Sequence, residues 1–242
     1  MKTLFKEVEI QIKLYFRDKQ LLFWNMAFPI FMMFIFGSVF GGKRPSYIEF
    51  ILPTLIAMTS MSTAFISIGV VVTGLKQSKL LRRIKLTPLP KWVFFTGQMV
   101  SRYIIVLLQT LLIIAMGVLV FKIDIKGSIF SSLIVISLGI IAFIAMGFCI
   151  PGFVKKTETA GVIANLLFFP MLFLSGGWFP LETAPRFIQY FARILPATYF
   201  IHAVREVLMN GTSLTGVLKD VWILLGWLIA GSIISIKFFR WE

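Results

Sequence analysis

Apolar residues along this chain gather in long runs. They neither alternate, as in a half-buried strand, nor break every few positions, as in a small soluble helix. Six runs stand out, at about 21–41, 50–74, 92–121, 128–151, 159–179 and 221–239. Each is long enough for a helix to cross about 30 Å of hydrocarbon, some with tilt. Lipid offers no hydrogen-bond partners, so backbone groups must be satisfied within the segment, which selects helices over open strands. The pattern predicts an all-α membrane protein with six transmembrane helices, forming a single transmembrane domain over residues 1–242. The first run is too long for a signal-peptide core, and no A-x-A-like cleavage site follows it.

Two segments outside the runs carry a helical period of their own. On a helical wheel Leu4, Phe5, Val8, Ile12, Tyr15 and Phe16 fall together, with Lys2, Lys6, Glu9, Lys13 and Arg17 opposite. Residues 1–19 are therefore predicted as an amphipathic helix lying in the membrane interface, cations toward the headgroups. The alternative is a helix packed on a partner. The connection 180–218 is the longest between runs. Within it PRFIQYFARILP sets Phe187, Phe191, Ile194 and Leu195 on one face, and YFIHAVREVLMNG is a second helical stretch stopped by glycine. Both are expected to be short helices in the outer leaflet or packed on the bundle before the last span.

Composition agrees with this reading. The chain is 58% hydrophobic and 14% charged, where a soluble domain carries about a quarter of its residues as charges. The net charge of +14 would suggest nucleic acid in a soluble chain. In a membrane chain cations instead mark cytoplasmic loops facing anionic lipid, so no nucleic-acid partner is expected. Fifteen Lys and Arg fall in the N-terminus, the loop from Lys76 to Lys91, the pair Lys155–Lys156 and the tail, against eight in the other connections. The bias places both termini in the cytoplasm, and the expected location is the plasma (inner) membrane of a bacterium. Cys149 stands alone in an apolar run and His202 is the only histidine, so neither a disulfide nor a metal cluster is expected.

The spans hold little chemistry. Glu49, Arg102 and Glu158 lie near run ends, where side chains can snorkel to water, so an ion-coupled carrier lacks its usual buried acid or base. GSVFGGKR at 37–44 approaches a phosphate-binding loop but ends in Arg44, where Ser or Thr is needed for Mg²⁺. It reads as the end of the first helix, with Gly37 and Gly41 as a close-packing pair. The chain thus looks like a transport path whose energy comes from a separate subunit. The loop 75–90 fits that subunit's docking site. Residues 75–86 have a helix pattern with Leu80, Leu81 and Ile84 together and Lys76, Lys79 and Arg83 on another face, stopped by Thr87-Pro88-Leu89-Pro90. Lys79, Leu80, Leu81, Arg82, Arg83, Ile84, Lys85, Thr87 and Pro88 are the candidate docking residues, apolar groups filling a groove and cations pairing with acids or lipid. The plainer alternative is that these cations only set topology. Candidates for the path are Thr59, Thr63 and Ser67, one polar stripe of the second span, with Asn165 and Phe169 of the fifth. Helix–helix contact is the competing role for small hydroxyl residues.

Two stretches resemble a known family. LLRRIKLTPLPKWVFFTGQ resembles the cytoplasmic loop and third-helix start of ABC-2 type transporter permeases, and SGGWFPLETAPRFIQYFARILPATYFIHAVRE resembles the region before their last span. The resemblance implies an export permease without enzymatic activity of its own. Two copies, or one with a paralogue, would assemble with two ABC ATPase subunits that hold ATP and Mg, and this chain would carry no cofactor. It further implies that the second and fifth helices of facing subunits line the path. The abundant phenylalanines suit a hydrophobic or amphipathic cargo such as a drug, antibiotic or lipid-linked molecule. An autonomous channel or secondary transporter, a polysaccharide-exporting permease and a membrane-embedded assembly factor stand as alternatives.

Overall fold

The computed structural model describes residues 2–40, 46–81, 86 and 90–239. These residues form helices joined by turns, with no strand among them. Helix α1 is Lys2–Arg17. Helix α2 runs through Lys19–Leu22, a π turn at Phe23–Ala27 and Phe28–Phe40. Helix α3 joins Ser46–Ser60, a π turn at Met61–Ile66 and Ser67–Gln77. Helix α4 is Lys91–Phe121, and α5 is Ile129–Gly147 with a short extension at Ile150–Phe153. Helix α6 is Thr157–Leu174, α7 is Arg186–Ala192, and α8 is Pro196–Val204 continuing into a π turn at Arg205–Met209. Helix α9, Leu218–Phe238, follows a single 3-10 turn at Leu214–Val217.

Among the described residues, five helices are long and apolar enough to cross a membrane: Tyr47–Gln77, Trp92–Phe121, Ile129–Phe153, Thr157–Leu174 and Leu214–Phe238. A sixth apolar helix, Phe23–Val39, is shorter. The chain is thus a multi-pass membrane protein, since hydrocarbon is the only solvent that matches such helices.

Helix α3 is the axis of the bundle. Of its most apolar window 72% is buried, against 11% for α9, so α3 is surrounded by protein while α9 lies at the edge. Helices α4, α5, α6 and α8 pack around α3, and α9 lies along α5. Small residues permit the closest approaches. A Cβ on Gly147 would meet the carbonyls of Ala64 and Phe65 at 2.8 Å, and one on Gly139 would fall 2.2 Å from the Phe200 ring. The same ring stacks edge-on against Phe143 at 5.6 Å between centroids, which locks α8 onto α5.

One helix end and one placement differ from the hydropathy reading. Helix α6 stops at Leu174, short of the expected 179, because Gly176 adopts a left-handed φ of 74° and turns the chain back. The Thr54 hydroxyl donates to the Gly177 carbonyl at 2.8 Å and fixes that turn on α3. Both helices expected in 180–218 form, but they differ in placement. Helix α8 is core, with Phe200, Ile201, Val204 and Val207 buried, whereas Phe187, Tyr190 and Phe191 of α7 and Ile194 just beyond it are exposed.

Helix α1 packs along α4. Glu7 lies against Gly97 and Tyr15 reaches Gln109, so the two helices run in the same direction. The expected apolar face is split by this contact: Tyr15 is buried, Leu4, Val8 and Ile12 are half-buried, and Phe5 and Phe16 remain exposed with Ile10 and Leu14.

Candidate functional site

The basic loop begins where α3 ends. Helix α3 continues to Gln77, and Lys79 then takes a left-handed φ of 58°. The expected continuous helix over 75–86 is therefore broken at Lys79, and the chain resumes helical form at Leu80–Leu81. A lysine in this conformation costs about 1–2 kcal/mol, so surrounding contacts must hold it. Leu81 supplies one: it is 1% exposed, packed into the protein, while Leu80 stays 40% exposed. Of the candidate docking residues, Arg82, Arg83, Ile84, Lys85, Thr87 and Pro88 lie outside the described residues.

The root of this loop is tied to two further helices. The Lys76 ammonium donates to the Pro151 carbonyl at 3.0 Å. The Gln77 side-chain oxygen accepts both the backbone N–H and the hydroxyl of Thr157, each at 2.7 Å. Thr157 is the first residue of α6, whose first-turn N–H groups have no partner within the helix, so Gln77 acts as its cap from another element. A displacement of the loop root therefore pulls on the α5 extension and on α6 as well as on α3.

The polar stripe of α3 turns inward. Thr59 and Thr63 are buried, and Ser67 is 7% exposed. Thr59 donates to the Ile56 carbonyl of its own helix at 2.9 Å. Thr63 donates to the Gln109 side-chain oxygen at 3.0 Å. The Gln109 amide donates to the Tyr15 hydroxyl at 2.8 Å and to the Asn25 carbonyl at 3.5 Å. Ser62 donates to the Asn25 side chain at 2.7 Å. Asn25 and Ser62 both sit in π turns, whose wider winding loosens the i to i−4 ladder and leaves carbonyls for outside donors. One polar node thus joins α1, α2, α3 and α4 at the centre of an apolar bundle. Sequence reading missed Tyr15, Asn25, Ser62 and Gln109 as a group, because they come from four separate segments.

Asn165 and Phe169 face the other way. Both are exposed on α6, and the Asn165 amide donates only to the Gly161 carbonyl one turn back, at 2.8 Å. Phe169 stacks on Phe173, which stacks on Trp178. The α3 stripe and these two residues are not brought together within this protomer. Thr63 bonds across to α4, Thr59 bonds within its own helix, and the Ser67 hydroxyl has no hydrogen-bond partner among the described residues.

The opposite end of the bundle holds a polar cavity of about 290 Å³ lined by Phe50, Glu182, His202, Arg205 and Asp220 among others. Arg205 lies 4.0 Å over the Phe50 ring and donates to the Phe50 and Gly176 carbonyls. Burial pushes its pKa down to about 10, against the pull of Glu182 and Glu206. His202 Nδ1 lies 2.7 Å from an Asp220 carboxylate oxygen, and that hydrogen bond raises the imidazole pKa above its ordinary value despite partial burial. No group of three or more metal-ligating side chains occurs among the described residues.

Residues 7–209 match the family described as "ABC-2 type transporter". The chain belongs to the ABC-2 type transporter family. Among relatives of this ABC-2 chain, "Putative transport permease YvfS" of Bacillus subtilis is 26% identical over 99% of this chain and 98% of its own length. "ABC transporter G family member 20" of Dictyostelium discoideum is 26% identical over 79% of this chain, but only 27% of that larger protein. "Probable multidrug ABC transporter permease YbhR" of Escherichia coli is 25% identical over 74% of this chain and 49% of its own length. An ABC-2 chain of this kind is a transport permease rather than an enzyme.

Proposed function

We propose that this chain is the permease subunit of an ATP-driven exporter, moving a hydrophobic or amphipathic cargo out of the cell. The observation that carries the reading is the root of the basic loop. Lys76 and Gln77 join it to Pro151 and Thr157, so a push on the loop has a mechanical route into α3, α5 and α6. Two ATPase subunits holding ATP and Mg dock against residues 79–88 on the cytoplasmic face. Buried Leu81 anchors the loop, while Arg82, Arg83 and Lys85 pair with acids on the ATPase. The chain crosses the membrane six times, with α2 as the first crossing and α1 leading into it from the cytoplasmic side along α4. Two permease copies, or one copy and a paralogue, face each other across α6, where Asn165 and Phe169 are exposed and meet the cargo path. Thr63 ties α3 to α4 behind that path, on the face it shares with Thr59 and Ser67.

The test is association. With Arg82 and Arg83 both reversed to glutamate, the chain inserts and folds as before but retains at least tenfold less co-expressed ATPase on affinity purification. Unchanged retention would reduce these cations to topology signals. An autonomous channel or secondary carrier is the second reading, and flux through the chain reconstituted alone would favour it.

A further inference from the structure

We propose that the cavity around Arg102 binds a zwitterionic phospholipid headgroup, phosphate against the guanidinium and ammonium toward the cavity mouth. The cavity, about 410 Å³, lies between α1, the last turns of α3, Leu80 and the first turns of α4. Arg102 lines it and is 6% exposed, yet its Nε and Nη1 have no hydrogen-bond partner among the described residues. It sits eleven residues inside α4, about 16 Å from the helix start. The Tyr15 ring lies 5.6 Å from the guanidinium carbon. One turn back on α4, Gln98 is also buried, with both amide atoms unpartnered. A guanidinium largely withdrawn from water with two of its three nitrogens unpartnered is costly, and such groups are normally paired or ligated. An oxyanion of the phosphate type fits its fork of donors.

The rest of the wall selects the class of ligand. Leu14, Val71, Leu75 and Phe94 make it largely apolar, which favours an amphiphile over a free ion. Glu7 and Asp18 also line it, at half-buried and exposed positions. Glu7, which accepts one bond from Gln11, opposes a headgroup of net negative charge but receives an ammonium. A phosphate inside and an ammonium outside is the charge order of phosphatidylethanolamine. Ile10 and Leu14 on the rim are about half exposed, at 51% and 53%, and offer apolar surface to the first acyl carbons. This inference is independent of ATP coupling and of the transport direction.

The full chain, purified in detergent and stripped of lipid, is melted with added phosphatidylethanolamine, phosphatidylglycerol or soluble phosphoethanolamine, and bound lipid is counted by native mass spectrometry. Phosphatidylethanolamine is expected to raise the melting temperature by several degrees, with one lipid retained per chain. Arg102→Met should lose that shift and at least tenfold of the retention. It should melt no lower than the wild type without lipid, because an unpaired buried charge has been removed. Glu7→Gln should weaken phosphatidylethanolamine and narrow its advantage over phosphatidylglycerol. An equal shift in Arg102→Met and the wild type overturns the site. A lipid-free Arg102→Met chain that melts well below the wild type does so too, since Arg102 would then have a structural partner. A shift from phosphoethanolamine equal to that from the lipid overturns the assignment to a membrane amphiphile.

Discussion

Thr63 of α3 donates its hydroxyl to the Gln109 side chain of α4 at 3.0 Å, and Gln109 in turn donates to Tyr15 of α1 at 2.8 Å. A single amide therefore holds three helices. Gln109→Leu removes the bonds to the Thr63 and Tyr15 hydroxyls, at about 0.5–1.5 kcal/mol each. The melting temperature in detergent should fall, and trypsin should cleave more rapidly at Lys13 and Arg17 as α1 loosens. Thr63→Val combined with Gln109→Leu should cost less than the sum of the two single changes, because each removes the same bond. Strict additivity would contradict the node.

Docking of α8 depends on a missing side chain. A Cβ on Gly139 would lie 2.2 Å from the buried Phe200 ring. Gly139→Val should destabilise by about 1–3 kcal/mol through overpacking. Phe200→Leu on that background should recover part of the loss, whereas on the wild type it should destabilise. Failure of the pair to compensate in thermal melts would place the two residues apart.

The His202–Asp220 pair predicts a pH dependence. The imidazole pKa is raised above 6.5 chiefly by its bond to Asp220, helped by Glu206 and opposed by Arg205 and by burial. A group whose folded pKa is raised stabilises the fold fully below its unfolded value, and loses that contribution as pH rises through the folded value. Stability should therefore be highest at and below pH 6.5, fall above it, and then level off. The fall is small, because the His202 side chain is more than half exposed and screened by solvent. His202→Asn and Asp220→Asn should each flatten this part of the profile; an undiminished slope in either would assign it to another group.

Asn165 and Phe169 predict a neighbour. A polar amide on the exposed face of an apolar helix is disfavoured in lipid and favoured at a protein or cavity surface. Single cysteines at these positions in a Cys149→Ala background should cross-link two permease chains in membranes under mild oxidation. A cysteine at Leu224, buried within its own chain, should not. Equal cross-linking at all three positions would mean random collision.

Much of the fold could be read in advance because hydrocarbon imposes one rule on every residue of a span. Helix α4 begins at Lys91, beside the expected 92, since Pro90 stands outside the helix as its N-cap. Where a boundary depends on one dihedral, hydropathy is blind. Residues 175–179 remain apolar or small after the chain has turned at Gly176, and nothing in the sequence marks Lys79 as left-handed. The candidate site was legible in part. Periodicity identified Thr59, Thr63 and Ser67 as one face, but not what that face meets, since the Thr63 partner lies 46 positions away. Arg102 read as a snorkelling residue because sequence shows distance from a run's end, not the α1 helix that covers it.

The central claim is that this ABC-2 chain is a conduit powered by a separate ATPase. The most direct measurement is efflux of a fluorescent amphiphile from vesicles reconstituted with the chain, with and without its ATPase partner and ATP. Flux is expected only when chain, ATPase and ATP are all present, and is lost when Arg82 and Arg83 are reversed to glutamate. The same flux from the chain alone, without ATPase or with an ion gradient in its place, would contradict it.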